Sequence, residues 1–333
     1  MDIQTNKINW TTIAIIIIIT IVFTVLIYYF TYKKSDDIIE PLSNTVVDNS
    51  STTTNLNNEY INYIQNIQPT DTPKIVWTYW ENKDGRTRPP THIQLCFDTF
   101  TKHLSDKYKI IILNQDTVKQ YLPKVRDDLD GLLIAQKVDY YRIALLYNYG
   151  GIWVDADTII MRDFDEIFEK LDSAYDFVGF GCTQNICFDG KNQPSNGVLA
   201  SRQHSLLMKV CLEKLDKILD ERLATNQPIE YFDLGKLVIW DALNVLKPYG
   251  YDYYHFPSAY DGSRDSDGHW IDTSRHFSLE PTTLIDENKL FFVFLTNSGI
   301  NDTQPWVKDA ERDDLLQGQY WISSLFRKSL QIN

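Results

Sequence analysis

The sequence predicts an α/β domain with a mainly parallel central sheet. Short apolar runs rich in β-branched and aromatic residues read as buried strands, and segments with apolar residues at helical spacing lie between them. A compositional break near residue 71 sets this domain, residues 71–333, apart from what precedes it.

Ahead of the domain are three pieces. Residues 1–9 form a short tail. From Trp10 to Tyr32 no residue is charged, and a helix of that length spans roughly 35 Å, enough for a bilayer core of about 30 Å. Trp10 and the tyrosines 28, 29 and 32 flank the run as interfacial aromatics do, and no small-residue cleavage site follows. The expectation is a single transmembrane helix over 10–32. Residues 33–70, with the run SNTVVDNSSTTTNLNN, are too polar to offset their ordering entropy and read as a flexible stalk, with EYINYIQNI as a short helix where it meets the domain.

Within the domain, KIVWTYW (74–80) reads as the first strand, THIQLCFDTFTKHL (91–104) as an amphipathic helix, and YKIIIL (108–113) as a second strand. A helix over 136–148 ends at Gly150-Gly151, since glycine tolerates the left-handed conformation at a helix C-terminus. IWVDADTII follows as a strand. FVGFG, GVLAS, helices near 204–221 and 232–246, the strand-like LFFVFL and an amphipathic close over 306–329 complete the reading.

The net charge of −13 and pI near 4.9 argue against a nucleic-acid partner. Four cysteines, none in a CxxC pair, exclude a disulfide framework and a zinc ribbon, although Cys182 and Cys187 are close enough to bridge in an oxidising compartment. The histidines form no metal pattern.

Two aspartates, Asp155 and Asp157, interrupt an otherwise apolar strand. If the strand continues, side chains two apart share a face; if the chain turns there instead, the two carboxylates still converge at the strand end, where open α/β sheets bind ligands. Two carboxylates in a partly dry site repel one another, and a divalent cation resolves the conflict. Oxygen-only ligands suit Mg²⁺ or Mn²⁺, which complete their shells with phosphates and water. Asp139 and Arg142 lie one turn apart on the preceding helix; an intrahelical ion pair is one reading, a clamp facing the aspartates the other.

The segment DYYRIALLYNYGGIWVDADTII (139–160) resembles the donor-binding segment of DxD glycosyltransferases: the family of initiating mannosyltransferases, the capsular polysaccharide synthesis proteins, and the glucosylating clostridial toxins. PKIVWTYWE (73–81), SNGVLASRQHSLLMKV (195–210) and YFDLGKLVIWDAL (231–243) resemble further segments of that group. The resemblance implies a GT-A fold, a nucleotide-sugar donor (UDP- or GDP-sugar), a divalent metal, and transfer with retention to a glycan, glycoprotein or glycolipid. It implies that Trp77 stacks on the nucleobase, that Asp139 and Arg142 hold ribose and sugar hydroxyls and a phosphate oxygen, that Asp155 contacts the sugar or ribose and the metal through water, that Asp157 binds the metal directly, and that Asn196 sits beside the transferring sugar; a core tryptophan at 77 and a plain turn asparagine at 196 are the alternative readings. His276 is a further candidate metal ligand. Asp233 and Asp241 are candidate bases for an inverting enzyme, and Tyr260, His269 and Trp270 candidate acceptor contacts. A type II topology, with the domain lumenal or extracytoplasmic, suits the short N-terminal tail and the polar stalk, while Lys33 and Lys34 pull the other way. Two other functions fit the residues less well: a non-catalytic membrane glycoprotein with a degenerate domain of this fold, and a metal-dependent glycan phosphotransferase.

Overall fold

The computed structural model describes residues 50–83, 85–183 and 191–332, with side chains from Leu56 onward. The expected transmembrane helix over 10–32 lies outside the described residues, as do the tail and the first part of the stalk. Among the described residues no helix is long and apolar enough to cross a membrane.

Helix α1, Ser50–Gln65, falls in the stretch read as stalk. From Leu56 onward the chain forms one compact unit. Tyr60 is buried, Tyr63 and Ile64 pack on the same core, and Tyr63 Oη donates to Asp176 at 3.1 Å. The chain after it is pinned by Arg202, which donates to the Gln68 carbonyl at 2.6 Å, and by Thr72 N–H, which donates to Asp172. The helix covers most of EYINYIQNI, read as a short helix at the end of the stalk, and its docking departs from the flexible stalk expected through residue 70: three apolar side chains on one helical face suffice to dock a polar segment.

The domain then runs through β1 (Ile75–Tyr79), α2 (Thr91–Leu104), β2 (Lys109–Leu113), the short α3 (Val118–Tyr121), α4 (Ile134–Tyr149), β3 (Gly151–Val154), β4 (Thr158–Ile160), α5 (Asp165–Ser173), β5 (Phe177–Cys182) and β6 (Gln193–Ser201). The later elements are α6 (Leu206–Thr225), α7 (Lys236–Leu246), β7 (Tyr254–His255), α8 (Thr273–His276), β8 (Phe292–Phe294), α9 (Asn297–Thr303), α10 (Arg312–Leu316) and α11 (Trp321–Leu330). The main sheet has the order β2-β1-β3-β6-β5-β7. β1 pairs in parallel with β2 and β3, and β5 with β7, while β6 runs antiparallel to both β3 and β5. One reversed strand in an otherwise parallel sheet agrees with the α/β reading.

The two faces of the sheet follow strand alternation. Trp77, Trp153 and Leu199 enter the core beneath α4, α6 and α7, while Val76, Ile152, Val154 and Val198 enter an aromatic core with Phe100, Phe180, Phe256 and Phe292. A third cluster, with Ile159, Val293, Ile322 and Phe326, unites the C-terminal helices with α2. β4 leaves the main sheet and pairs antiparallel with β8, Ile159 opposite Val293.

The glycine pair after α4 has two jobs. Gly150 caps the helix at φ 68°, its N–H donating to the Leu146 carbonyl. Gly151, at φ 96°, lies so close to β1 that a Cβ there would be 2.4 Å from the Ile75 carbonyl oxygen. The pair turns the chain directly from helix to strand against β1. Cys182 is disulfide-bonded, whereas Cys96 and Cys211 are buried free thiols; Cys187 lies outside the described residues.

Candidate active site

Helix α4 is buried from Gln136 to Leu146, around its whole circumference. Asp139 and Arg142 are thus enclosed and must be paired. Arg142 Nη2 lies 3.1 Å from Asp139 Oδ1, and Arg142 Nη1 lies 3.3 Å from Asp155 Oδ1. Asn196, on β6, donates from Nδ2 to Asp139 Oδ1 at 2.9 Å, while its carbonyl accepts from Arg142 Nη1. Trp153 Nε1 donates to Asp155 Oδ1 at 2.8 Å, and the Arg142 guanidinium stands 5.3 Å from the centre of the Trp153 ring. The two sequence readings of Asp139 and Arg142 therefore merge: they form an intrahelical ion pair, and that pair faces the aspartates.

The DxD turn is anchored on both sides. Asp155 N–H donates to the Gly197 carbonyl at 2.8 Å, continuing the β3–β6 ladder. The Asp157 carbonyl accepts from Leu295 N–H at 2.9 Å, just past β8, and Asp157 Oδ2 accepts from Asn297 N–H at 2.5 Å. Asn297 is placed by Thr296, a β-branched residue held at φ 52°, a sterically strained position for such a side chain. The Asn297 amide oxygen lies 3.0 Å from Nε2 of the buried His92.

Asp155 remains 31% exposed, so its carboxylate reaches solvent. Desolvation raises the carboxyls of Asp139 and Asp155 to about 6 despite the opposing charge of Arg142, and raises that of Asp157. Asp139 and Asp155 thus pair with one guanidinium, and Asp157 has no ion pair among the described residues. Among the described residues no other side chain hydrogen-bonds Asp155 Oδ2 or Asp157 Oδ1. Two half-engaged carboxylates with an uncompensated charge are a donor set that fits Mg²⁺ or Mn²⁺.

The structure brings Asp139, Arg142, Asp155, Asp157 and Asn196 together. It corrects two other assignments. Trp77 is fully enclosed, its Nε1 donating to the Gly150 carbonyl and its ring packed against Tyr121 and Tyr149, so it offers no face to a nucleobase. β1 points residues 77 and 79 into the core beneath α4, and a strand buried on both faces has no free ring there. His276 is also fully buried, stacked on Trp321 at 5.5 Å, with neither ring nitrogen hydrogen-bonded and no ion pair to the aspartates. Its place is in the C-terminal core.

The candidate bases are otherwise engaged. Asp233 accepts from Glu230 N–H and pairs with Arg222, and Asp241 pairs with Lys214. Tyr260 packs on Phe256 and Phe291. Asp265, Asp267 and His269 lie together, but Asp265 already accepts from the N–H groups of Asp267 and His269 and pairs with Arg275. That cluster is a carboxylate-capped turn. The sequence reading missed Trp153, Asn297, Thr296, His92 and Gly235. Trp153 was legible, because a donor two residues before Asp155 on the same strand face can reach it. Asn297 depends on the pairing of β4 with β8 across most of the domain, which no local pattern announces.

An O-glycosyltransferase, braB, of Annulohypoxylon truncatum is 26% identical over 187 residues, 51% of this chain and 43% of that protein. A glycosyltransferase, afumC, of Aspergillus fumigatus is 24% identical over 164 residues, 43% of this chain and 39% of that protein. The chain therefore spans about two fifths of the length of these curated relatives. The solved structure of the PaToxG glycosyltransferase is similar over 59% of this chain and 77% of its own, with 17% identity and a TM-score of 0.39. Residues 27–217, more than half of the chain and including the whole Asp139–Asn196 network, match the family described as capsular polysaccharide synthesis protein, and the chain belongs to that family.

Proposed function

We propose that this protein is a GT-A-like, metal-dependent glycosyltransferase that moves a sugar from a UDP- or GDP-sugar to a glycan or glycoconjugate. The observation that carries the reading is the convergence of Asp155 and Asp157 with the Asp139–Arg142–Asn196 network beyond the C-terminal end of β3. Asp157 and Asp155 would hold Mn²⁺ or Mg²⁺. When bound, the ion supplies Lewis-acid stabilisation of the charge that develops on the leaving diphosphate. Asp139 and Asn196 line the donor-sugar side. Arg142 holds Asp139 and Asp155 in register.

In the reaction an acceptor hydroxyl oxygen bonds to the anomeric carbon as the bond from that carbon to the diphosphate breaks. The electron pair leaves on the diphosphate, and the hydroxyl proton passes to a phosphate oxygen. Transfer with retention is supported by the engagement of Asp233 and Asp241 in ion pairs, because inversion needs a free base beside the acceptor.

The proposed setting is a type II membrane protein with a lumenal or extracytoplasmic domain, anchored through residues 10–32. The disulfide-bonded Cys182 supports it, since such bonds persist in oxidising compartments. The test is release of nucleoside diphosphate by the detergent-solubilised full chain across UDP- and GDP-sugars, with and without Mn²⁺. Nucleotide binding without turnover on any donor would favour a non-catalytic domain, and a phosphosugar product would favour the phosphotransferase. Digestion of a tag placed after Asn333 in sealed vesicles, from the cytosolic side, would overturn the topology.

A further inference from the structure

Beside the site, against β6, lies the segment from Tyr231 to Trp240, which the reaction described above does not use. Gly235 lies against the site: a Cβ there would be 2.8 Å from Asp139 Oδ2 and 2.7 Å from Asn196 Nδ2. Trp240 Nε1 donates to the Pro194 carbonyl at 2.9 Å, two residues before Asn196 on β6. Tyr231 is near enough for the charges of Asp139, Asp155 and Asp157 to raise its phenol, after burial itself.

This segment is aromatic and open. Tyr231 and Phe232 are 52% and 49% exposed and meet edge to face at 5.0 Å. Exposed rings beside a polar site suit the C–H face of a sugar ring. Between them and Trp240 stands Lys236, its ammonium 4.1 Å from the Phe232 ring centre and 5.3 Å from that of Trp240. It is half-buried, and no carboxylate pairs with it among the described residues. Burial lowers its pKa, with no acidic neighbour to offset the effect. In a chain with a net charge of −13, a partly desolvated cation left without a counter-charge is suited to an anionic ligand.

The position indicates which ligand. The segment packs on β6, through Trp240 and Pro194, whereas Asp157 is held from the β8 side through Asn297. Lys236 also forms no ion pair, among the described residues, with Asp155 or Asp157, the residues that would hold the diphosphate through a metal. We propose that Tyr231, Phe232, Lys236 and Trp240 form the acceptor subsite, and that it selects a sugar bearing a carboxylate or phosphate. This rests on the glycosyltransferase reading.

The test uses the full chain with UDP, GDP and Mn²⁺ present, and measures binding of three probes by saturation-transfer NMR: methyl glucuronide, glucose 6-phosphate and methyl glucoside. At least one anionic probe is expected to bind ten-fold or more tightly than the neutral glucoside, with the two anionic arms separating carboxylate from phosphate. Lys236→Met should abolish that preference and Lys236→Arg should keep it, while Phe232→Ala should weaken all three probes alike. Equal binding of the three probes, no binding of either anionic probe, or a preference that survives Lys236→Met would each overturn the proposal. So would loss of nucleoside diphosphate binding in Lys236→Met, which would assign the lysine to the donor. Wild-type protein that binds an anionic probe but no nucleotide would keep the subsite and sink the transferase reading instead.

Discussion

Adding one methyl group at Gly235 tests whether the Tyr231–Trp240 segment and the Asp139 network are mechanically one unit. In Gly235→Ala the new Cβ would lie 2.7 Å from Asn196 Nδ2 and 2.8 Å from Asp139 Oδ2. Non-bonded heavy atoms settle at roughly 3.5–4.0 Å, so the overlap approaches an ångström. Neither neighbour yields easily. Asn196 Nδ2 is bonded to Asp139 at 2.9 Å, and Asp139 is 5% exposed and paired with Arg142 at 3.1 Å. Either the start of α7 backs away or the Asn196–Asp139 bond opens. Overpacking of this kind costs about 1–3 kcal/mol, partly offset by about 0.4–1 kcal/mol from the less flexible unfolded chain. The melting temperature should fall by a few degrees, at roughly 2–4 °C per kcal/mol for a domain of this size. Turnover should suffer far more, because a shift of about 1 Å at a reacting centre can cost on the order of 100-fold. Donor hydrolysis and a thermal melt on the same preparation read both effects. Gly131→Ala serves as the control, since nothing lies within 4 Å of a Cβ there. Wild-type turnover with an unchanged melt in Gly235→Ala would refute the coupling.

Three further outcomes follow from the same geometry. Asp157→Asn should lower kcat by on the order of 100-fold or more and weaken the Mn²⁺ dependence while leaving the melting temperature equal or higher, because burial already disfavours that carboxylate's charge; full turnover in EDTA-treated buffer would contradict the metal assignment. Thr296→Asn replaces a β-branched residue at φ 52° with one that tolerates this conformation, and urea melts should show a gain of about 1 kcal/mol; a loss would mean the threonine side chain holds the turn. His276, whose burial lowers its pKa to about 4, refuses a proton that the unfolded chain accepts below about 6.5, so its contribution is complete above that pH and is lost as pH falls towards 4; His276→Phe should therefore gain about 2 kcal/mol relative to wild type at pH 5 compared with pH 7, and an identical difference at both would show that the ring is protonated in the fold.

Much of the fold was legible because its signals are local. THIQLCFDTFTKHL has apolar residues at helical spacing, and the structure forms a helix over those same residues, Thr91–Leu104. Gly150-Gly151 announced both a helix end and a close turn. The Asp139–Arg142 pair and the DxD were readable as one site because nineteen residues of helix, turn and strand, 139–157, carry them all. Trp77 was readable two ways because a tryptophan in a first strand looks the same in sequence whether its ring faces a ligand or a core; only the position of α4 over β1 decides it. The docked half of α1 was hidden by polar composition, since Tyr60, Tyr63 and Ile64 are few among many asparagines and threonines.

The C-terminal third was opaque for a different reason, and that reason bears on how the site is assembled. The two aspartates of the DxD turn belong to different sheets. Asp155 is tied to β6 of the main sheet through the Gly197 carbonyl, and Asp157 to the chain after β8 through Leu295 and Asn297. Each carboxylate therefore takes its position from a different hydrophobic cluster, the first from the core around Trp153 and Leu199, the second from the core around Ile159 and Val293. Folding must dock the C-terminal helices on α2 and pair β8 with β4 before Asp157 has its partners. The local sequence specifies which residues do the chemistry, but their spacing in the folded site is set by a contact between Asp157 and Asn297, 140 residues apart along the chain.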